Sequence, residues 1–299
     1  MDASTLRARA KYYMEALSFP ADAQSDLLAA FDKIAANGTS FSRFCAILEA
    51  YGKDCALHFT PLQEENQSLC EAVGVHPYTG KLLLYISLAD ALRAHYRARG
   101  IDEGLFWAAM ADLAYKLEEC HLVHGINGSF VGMWFSGFFK LERFALGRLQ
   151  FELTRAKKSY TCAGFSVTEG QNAINIHIPR TGTRLDHGEV LESYAKAKKF
   201  FADAFKDAPT LFTCHSWLLD PWNLTVLRPD SNLAAFIRDF EIVETEECPD
   251  YSQLWRLFDC LYTGDPDALP QDSSLRRAYA QRVKRGEKTA VGLGFFIMK

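Results

Sequence analysis

One stretch, Asn172 to Asp220, constrains the chain more than any other. NAINIHIP alternates with a period of two, so Ile174, Ile176 and Ile178 share one face while Asn175 and His177 share the other. The next ten residues, RTGTRLDHGE, form a short loop with Gly182 inside it. The loop ends in capping-box spacing, Asp186 followed three residues later by Glu189. Val190, Tyr194, Ala197, Phe201 and Phe205 then recur at helical intervals, and TLFTCHSWLLD returns to alternation. The order is strand, tight loop, helix, strand, with a histidine on each strand. Backbone N–H groups at such a helix start, helped by Arg180 and Arg184 at either end of Thr181-Gly182-Thr183, suit a pyrophosphate. A loop and a cap also occur in any α/β crossover, so the motif by itself equally fits a structural role.

Upstream, the period is near four. Leu27, Phe31 and Ile34 line one helix, which Asn37-Gly38 stops, and Ser40 or Ser42 is expected to cap the next. From Thr60-Pro61 to Gly80 the pattern weakens, His76 to Gly80 reads as a turn-rich connector, and helix is expected again from Leu82. Asp102 is the expected N-cap of a long helix that places Phe106, Met110, Leu113 and Leu117 on one face. HLVHGINGSFVGMWFSGFF, from His121, mixes glycine with aromatics and is expected to be a packed joint, with Trp134 cementing it.

After the joint the period falls to two. Arg148, Gln150, Glu152 and Thr154 alternate with Leu149, Phe151 and Leu153, as in a strand with one buried face, and Ala163 to Val167 is a plausible partner strand. Helices are expected after Asp220-Pro221, after Ser231 and from Ser274. Strands are expected over Glu241 to Glu247 and Thr289 to Met298, and Leu254, Leu257, Phe258 and Leu261 form a further apolar stripe. The fold class is therefore α+β: a helical N-terminal domain, 1–138, and a mixed α/β domain, 139–299.

A chain of 299 residues with 48% hydrophobic and 23% charged residues can bury two cores and has no segment polar enough for disorder. Its net charge of -4 argues against nucleic acid as an obligate partner. No apolar run of about 18 residues and no secretory signal is present, so no membrane partner is expected. The eight cysteines lack CxxC spacing, which points to a reduced, cytoplasmic protein, and His121 and His124 have no carboxylate or cysteine at ligand spacing, so no metal is expected.

Cys214 and His215 invite a nucleophile–base reading, but adjacent strand residues point to opposite faces. A Cys–His hydrolase would need Cys214 to meet another base, such as His177. The candidates for acid–base work are His215, then His177, then Glu152, with Ser216 or Tyr194 as proton donors. Each also has a bland reading, and Tyr194 falls on the apolar stripe. Lys196, Lys198 and Lys199 read as a solvated helix face, one of which could reach a phosphate.

The element order from Arg143 onward resembles the GNAT acyl-CoA N-acyltransferase fold. LGRLQFEL (Leu146 to Leu153), INIHIPR (Ile174 to Arg180) and CHSWLL (Cys214 to Leu219) are similar to bacterial N-acyltransferases with a helical N-terminal and a GNAT-like C-terminal domain. SNLAAFIRDFEI resembles the Asn-then-helix segment that follows the cofactor-contacting strand in GNAT enzymes, which adds Asn232 to the cofactor candidates. The resemblance implies direct transfer of an acyl group, first of all acetyl, from acyl-CoA to a small-molecule or peptide amine. His177 and His215 would then lie on the strands that the fold splays around the thioester. The chain departs from an ordinary GNAT enzyme in having a single close glycine, Gly182, after Arg180, and in an insertion from Leu218 to Asp230 placed where it could cover the acceptor side. These departures keep open an alternative, a non-catalytic GNAT-like module that binds acyl-CoA or a protein.

Overall fold

A computed structural model describes residues 2–206 and 208–298. The chain divides into two compact units, Met1–Phe144 and Ala145–Lys299. The first is built from α1 (Ala3–Ala16), α2 (Ala21–Ala36), α3 (Gly38–Lys53), α4 (Phe59–Ala72), α5 (Pro77–Ser87), α6 (Ala89–Ala98), α7 (Glu103–His124) and the short α8 (Ser136–Phe139). Asp102 caps α7 as expected, its side chain accepting from Gly104 N at 2.8 Å.

Three expectations in this unit need correction. Neither Ser40 nor Ser42 caps α3: Asn37 does, accepting from Ser40 N at 3.0 Å, so one residue ends α2 and opens α3. Thr60 to Ala72 is helical, and α5 begins at Pro77 rather than Leu82, with Pro77 pre-set for the first turn and His76 as its cap. The apolar stripe of α4 is weak because Gln63 and Asn66 occupy its inner face. Gln63 donates to Tyr85 Oη (2.6 Å) and Asn66 Nδ2 to Gly80 O (3.0 Å), so these buried donors find partners in α5, while Asn66 Oδ1 has none among the described residues. The glycine-aromatic run after His121 folds back into the helical unit's own core. Phe139 packs on Tyr51, Phe59 and Tyr85, and Trp134 Nε1 donates to the fully buried Asp112 at 2.8 Å.

The second unit contains β1 (Arg143–Ala145, astride the boundary), β2 (Gln150–Arg155), β3 (Tyr160–Thr161), β4 (Ser166–Val167), β5 (Asn172–His177), α9 (His187–Phe200), α10 (Ala202–Phe205), β6 (Thr210–Ser216), α11 (Asn223–Val226), α12 (Asn232–Arg238), β7 (Glu241–Cys248), α13 (Trp255–Phe258), α14 (Ser274–Lys284) and β8 (Thr289–Met298). The alternating strand expected over Arg148 to Thr154 begins at Gln150, as β2, and Ala163 to Val167 contributes only β4, which pairs with β3 in a separate hairpin. The main sheet runs β1-β2-β5-β6-β8-β7, with β5 and β6 parallel and β2-β5, β6-β8 and β8-β7 antiparallel. The one parallel pair joins the two strands linked through α9, as a crossover helix requires.

α9 lies on one face of this sheet. Tyr194 packs against Phe212 and Phe296, whose rings stack at 4.8 Å, and the full burial of a ring such as that of Phe212 contributes about 1.5–3 kcal/mol. The turn from Trp217 to Leu219 crosses the same face so closely that a Cβ at Gly292 would sit 2.1 Å from Leu219 O. The insertion after Leu218 then packs on α14: Arg282 bonds Asp220 at 2.6 Å and Tyr279 Oη bonds Asn223 at 2.8 Å, all buried. The insertion therefore lies on the helix side of the sheet and does not cover the opposite face. Leu261, expected on an apolar stripe, is 51% exposed because α13 ends at Phe258 and Asp259 turns left-handed.

Candidate active site

The face of the sheet opposite α9 holds the polar side chains of β5 and β6. Ile174 pairs with Phe212 and Asn175 with Thr213, and there the parallel pairing ends, although β5 runs on to His177 and β6 to Ser216. A cleft of about 450 Å³ opens on this face, with Glu152, Asn175, Thr213, His215, Glu244, Leu293 and Phe295 as its floor and Ala156 to Tyr160 along one side. A second hollow of about 280 Å³ shares His215, Glu244 and Leu293 with it.

On the β2–β5 side the side chains pair among themselves. Glu152 lies directly across from Asn175 and diagonal to His177. Glu152 Oε1 is 2.9 Å from His177 Nε2 and accepts from Asn175 Nδ2 at 2.9 Å. Asn175 Nδ2 is also 3.2 Å from His177 Nε2. The amide and a protonated Nε2 are both donors, so the carboxylate organises the trio and fixes the imidazole's orientation.

On the β6–β8–β7 side, His215, Leu293 and Glu244 lie abreast, and His215 is exposed to the cleft. Glu244 reaches this face through a bulge. Ile242 pairs with Gly294 and Glu244 with Leu293, so Val243 is an extra residue bulged out of the ladder; were it paired in regular alternation, Val243 would face Leu293 and Glu244 would turn to the other face. Lys158 Nζ (2.9 Å) and Tyr160 Oη (2.8 Å) both donate to the Glu244 carboxylate, and the Tyr160 ring rests on Phe295 at 5.4 Å. The Lys158 bond first, then the Tyr160 hydroxyl, hold the Glu244 carboxyl below the usual carboxylate range, and His215 adds a smaller pull in the same direction. Glu244, Lys158 and Tyr160 were not found from sequence. The only signals were the glutamate-rich β7 and a Lys-Ser-Tyr turn that reads as ordinary charged loop.

Cys214, one residue before His215, is fully buried on the α9 face, and burial pushes its thiol up to about 12. Such a thiol is not a nucleophile at neutral pH, and no base on the cleft face reaches it. Tyr194 is likewise core: burial first, then Asp239, push its hydroxyl well above the ordinary tyrosine range, and it donates to Asp239 Oδ2 at 3.2 Å. Ser216 accepts from Leu218 N at 3.2 Å and caps the following turn.

The loop after β5 is held from several sides. Arg148 donates to Pro179 O (3.1 Å) and Arg184 O (3.4 Å), clasping both ends of the segment that carries Thr181, Gly182 and Thr183. Gly182 has φ +73°, and the hydroxyls of Thr181 and Thr183 bond each other at 2.8 Å. Asp186 caps α9, accepting from Gly188 N (2.9 Å) and Glu189 N (3.2 Å), so two donors at the helix start serve the chain's own carboxylate. Arg180 pairs with Asp259, which also accepts from Arg276 at 2.5 Å. Asn232 is exposed at the start of α12, beside the Ser231 cap. Arg184 and Asn232 fit a phosphate-bearing ligand, whereas Arg180 and the first turn of α9 would have to exchange internal partners for it. Among the described residues no group of His, Cys, Asp and Glu could hold a metal ion, and no helix is long and apolar enough to cross a membrane.

Comparison with known proteins accords with this geometry. Residues 8–141 match the N-acyltransferase N-terminal domain and residues 144–296 match the GNAT-like C-terminal domain. A comparison with curated proteins gave no match. Among solved structures, an acyltransferase mutant in complex with octanoyl-CoA is 21% identical, with a TM-score of 0.73 over 97% of this chain and 88% of that one. An acyltransferase in complex with decanoyl-CoA is 19% identical with a TM-score of 0.69, and one with decanoyl-CoA and teicoplanin is 21% identical with a TM-score of 0.67. Both pairs are covered over 100% of each chain. At these identities the likeness speaks for the fold, which is shared along the whole chain. The two domain matches together span nearly all of it, and the chain belongs to the acyltransferases that join an N-acyltransferase N-terminal domain to a GNAT-like C-terminal domain.

Proposed function

We propose that this chain transfers an acyl group from acyl-CoA directly to an amine acceptor, a small molecule or peptide, with His215 as the base. The observation that carries the reading is the parting of β5 and β6 just where each strand turns a histidine toward the cleft side. A thioester seated in that gap puts its carbonyl carbon between the strands. The acceptor nitrogen forms the new C–N bond as the C–S bond breaks, and the imidazole takes the proton from nitrogen and passes it to the departing thiolate, so that CoA leaves as the thiol and the base is restored. Backbone N–H groups along the parted strand edges are the donors for the developing oxyanion. Glu152 and His177 form a second, self-oriented pair that serves as proton relay or reserve base. Arg184, Asn232 and the Thr181–Thr183 loop, with Arg180 once it leaves Asp259, bind the CoA phosphates. The eight unpaired cysteines support a reducing, cytoplasmic setting.

Acetyl is the donor group the sequence suggests first. The apolar strip of Leu293 and Phe295, and solved relatives that hold octanoyl-CoA and decanoyl-CoA, favour a longer chain. The engagement of Arg180 with Asp259 and of Asp186 with its own helix favours a second reading, a module that binds acyl-CoA without turning it over. Calorimetry with CoA, acetyl-CoA and octanoyl-CoA, followed by thiol release against mixed amines, separates the two. Binding with amine-dependent thiol release that His215→Ala abolishes supports the enzyme. Binding without release supports the module, and no binding at millimolar ligand removes both.

A further inference from the structure

The acceptor side of the cleft already contains a primary ammonium, and it belongs to the chain itself. Lys158 Nζ sits 2.9 Å from Glu244 Oε1, on the cleft face that also bears His215, while Tyr160 holds the other carboxylate oxygen. Two independent features aim Glu244 at this spot. The extra residue Val243 turns it to the catalytic face, and Leu293 alone separates it from His215 across the sheet. We propose that Glu244 is the acceptor-specificity residue, that it receives the acceptor as an alkylammonium ion, and that Lys158 fills this subsite until the acceptor displaces it. The acceptor class is then a cationic primary amine with a second polar or charged group, rather than a neutral arylamine or an alcohol. This inference rests on the acyl-transfer reading above.

The chemistry explains the arrangement. An amine protonated at neutral pH must be gathered as a cation and then give up a proton beside the base. Glu244 serves the first step and His215, abreast of it, the second. The side chains of Lys158 and Glu244 are 64% and 45% exposed, so their pair is weak and exchangeable, as a displaceable occupant should be. The hollow shared by His215, Glu244 and Leu293 continues past the ammonium position along Glu246 and Val291, which leaves room for the rest of the acceptor. An acceptor with a second cationic group meets Glu246 there.

The test uses the full chain with octanoyl-CoA and three probes: 1,4-diaminobutane, glucosamine and aniline, the last neutral at pH 7. Thiol release is expected with the first two and not with aniline. Glu244→Gln should raise the amine KM about tenfold or more while leaving the KM for octanoyl-CoA within about twofold. Lys158→Met, which removes the internal occupant, should lower the amine KM about two- to fivefold. An unchanged amine KM in Glu244→Gln, equal use of aniline, or a wild-type chain that binds octanoyl-CoA by calorimetry yet acylates neither alkylammonium would overturn the proposal. A chain that binds no acyl-CoA instead fails the reading beneath it.

Discussion

Two neighbours on β6 differ in almost every property that chemistry uses. Cys214 points to the α9 face, fully buried, its thiol pushed up to about 12. His215 points to the cleft, exposed and abreast of a carboxylate. The sheet thus divides labour by face: one side is packed to hold the strands in register, the other is left open for chemistry. Side-chain identity alone would rank the cysteine as the more reactive residue, and the environment reverses that order.

The sharpest way to break this contrast is His215→Ala, which should lower kcat about 10²- to 10⁴-fold with acyl-CoA binding retained in calorimetry. On the packed face, Gly292→Ala forces a Cβ against Leu219 O and should cost about 3 kcal/mol, read as a lower denaturation midpoint. The buried thiol makes its own mark on pH dependence. A group whose folded pKa lies above its unfolded value loses stability as pH rises, here from about 9 toward about 12, and Cys214→Ala should flatten that part of the alkaline unfolding curve. Glu152→Gln, which weakens the orienting partner of His177, should cost about tenfold in kcat/KM, and combining it with His177→Ala should cost less than the sum. Smallest of all, Cys214→Ala should leave kcat within about twofold, and thiol reagents should not modify Cys214 in the folded chain. Rapid labelling of Cys214 would merge the two faces and remove the comparison.

Much of this architecture was legible from local pattern. The caps Asp102, Asp186 and Ser231 and the strand–loop–helix–strand order of Asn172 to Asp220 depend on neighbours a few residues apart, and all of them stand. The family resemblance stands as well. What sequence missed depends on contacts between distant positions. Lys158 and Glu244 are 86 residues apart, and they meet only because an unpaired Val243 shifts the alternation, which no periodicity count detects. Arg148 looked like one polar member of an alternating strand, yet its guanidinium clasps carbonyls more than 30 residues downstream. Arg180 looked free to bind phosphate, but α13 brings Asp259 to it. In α4, buried Gln63 and Asn66 hid a helix behind a polar face, because their partners come from the neighbouring α5.

The bulge at Val243 also decides how β7 answers the loss of a residue. A bulge absorbs one residue without disturbing the ladder on either side: Glu241 and Ile242 before Val243 and Glu244 to Cys248 after it all keep their partners on β8, so loss of Val243 would leave Glu244 opposite Leu293. Closing the bulge around a retained Val243 would instead carry Glu244 and every later residue of β7 to the other face of the sheet.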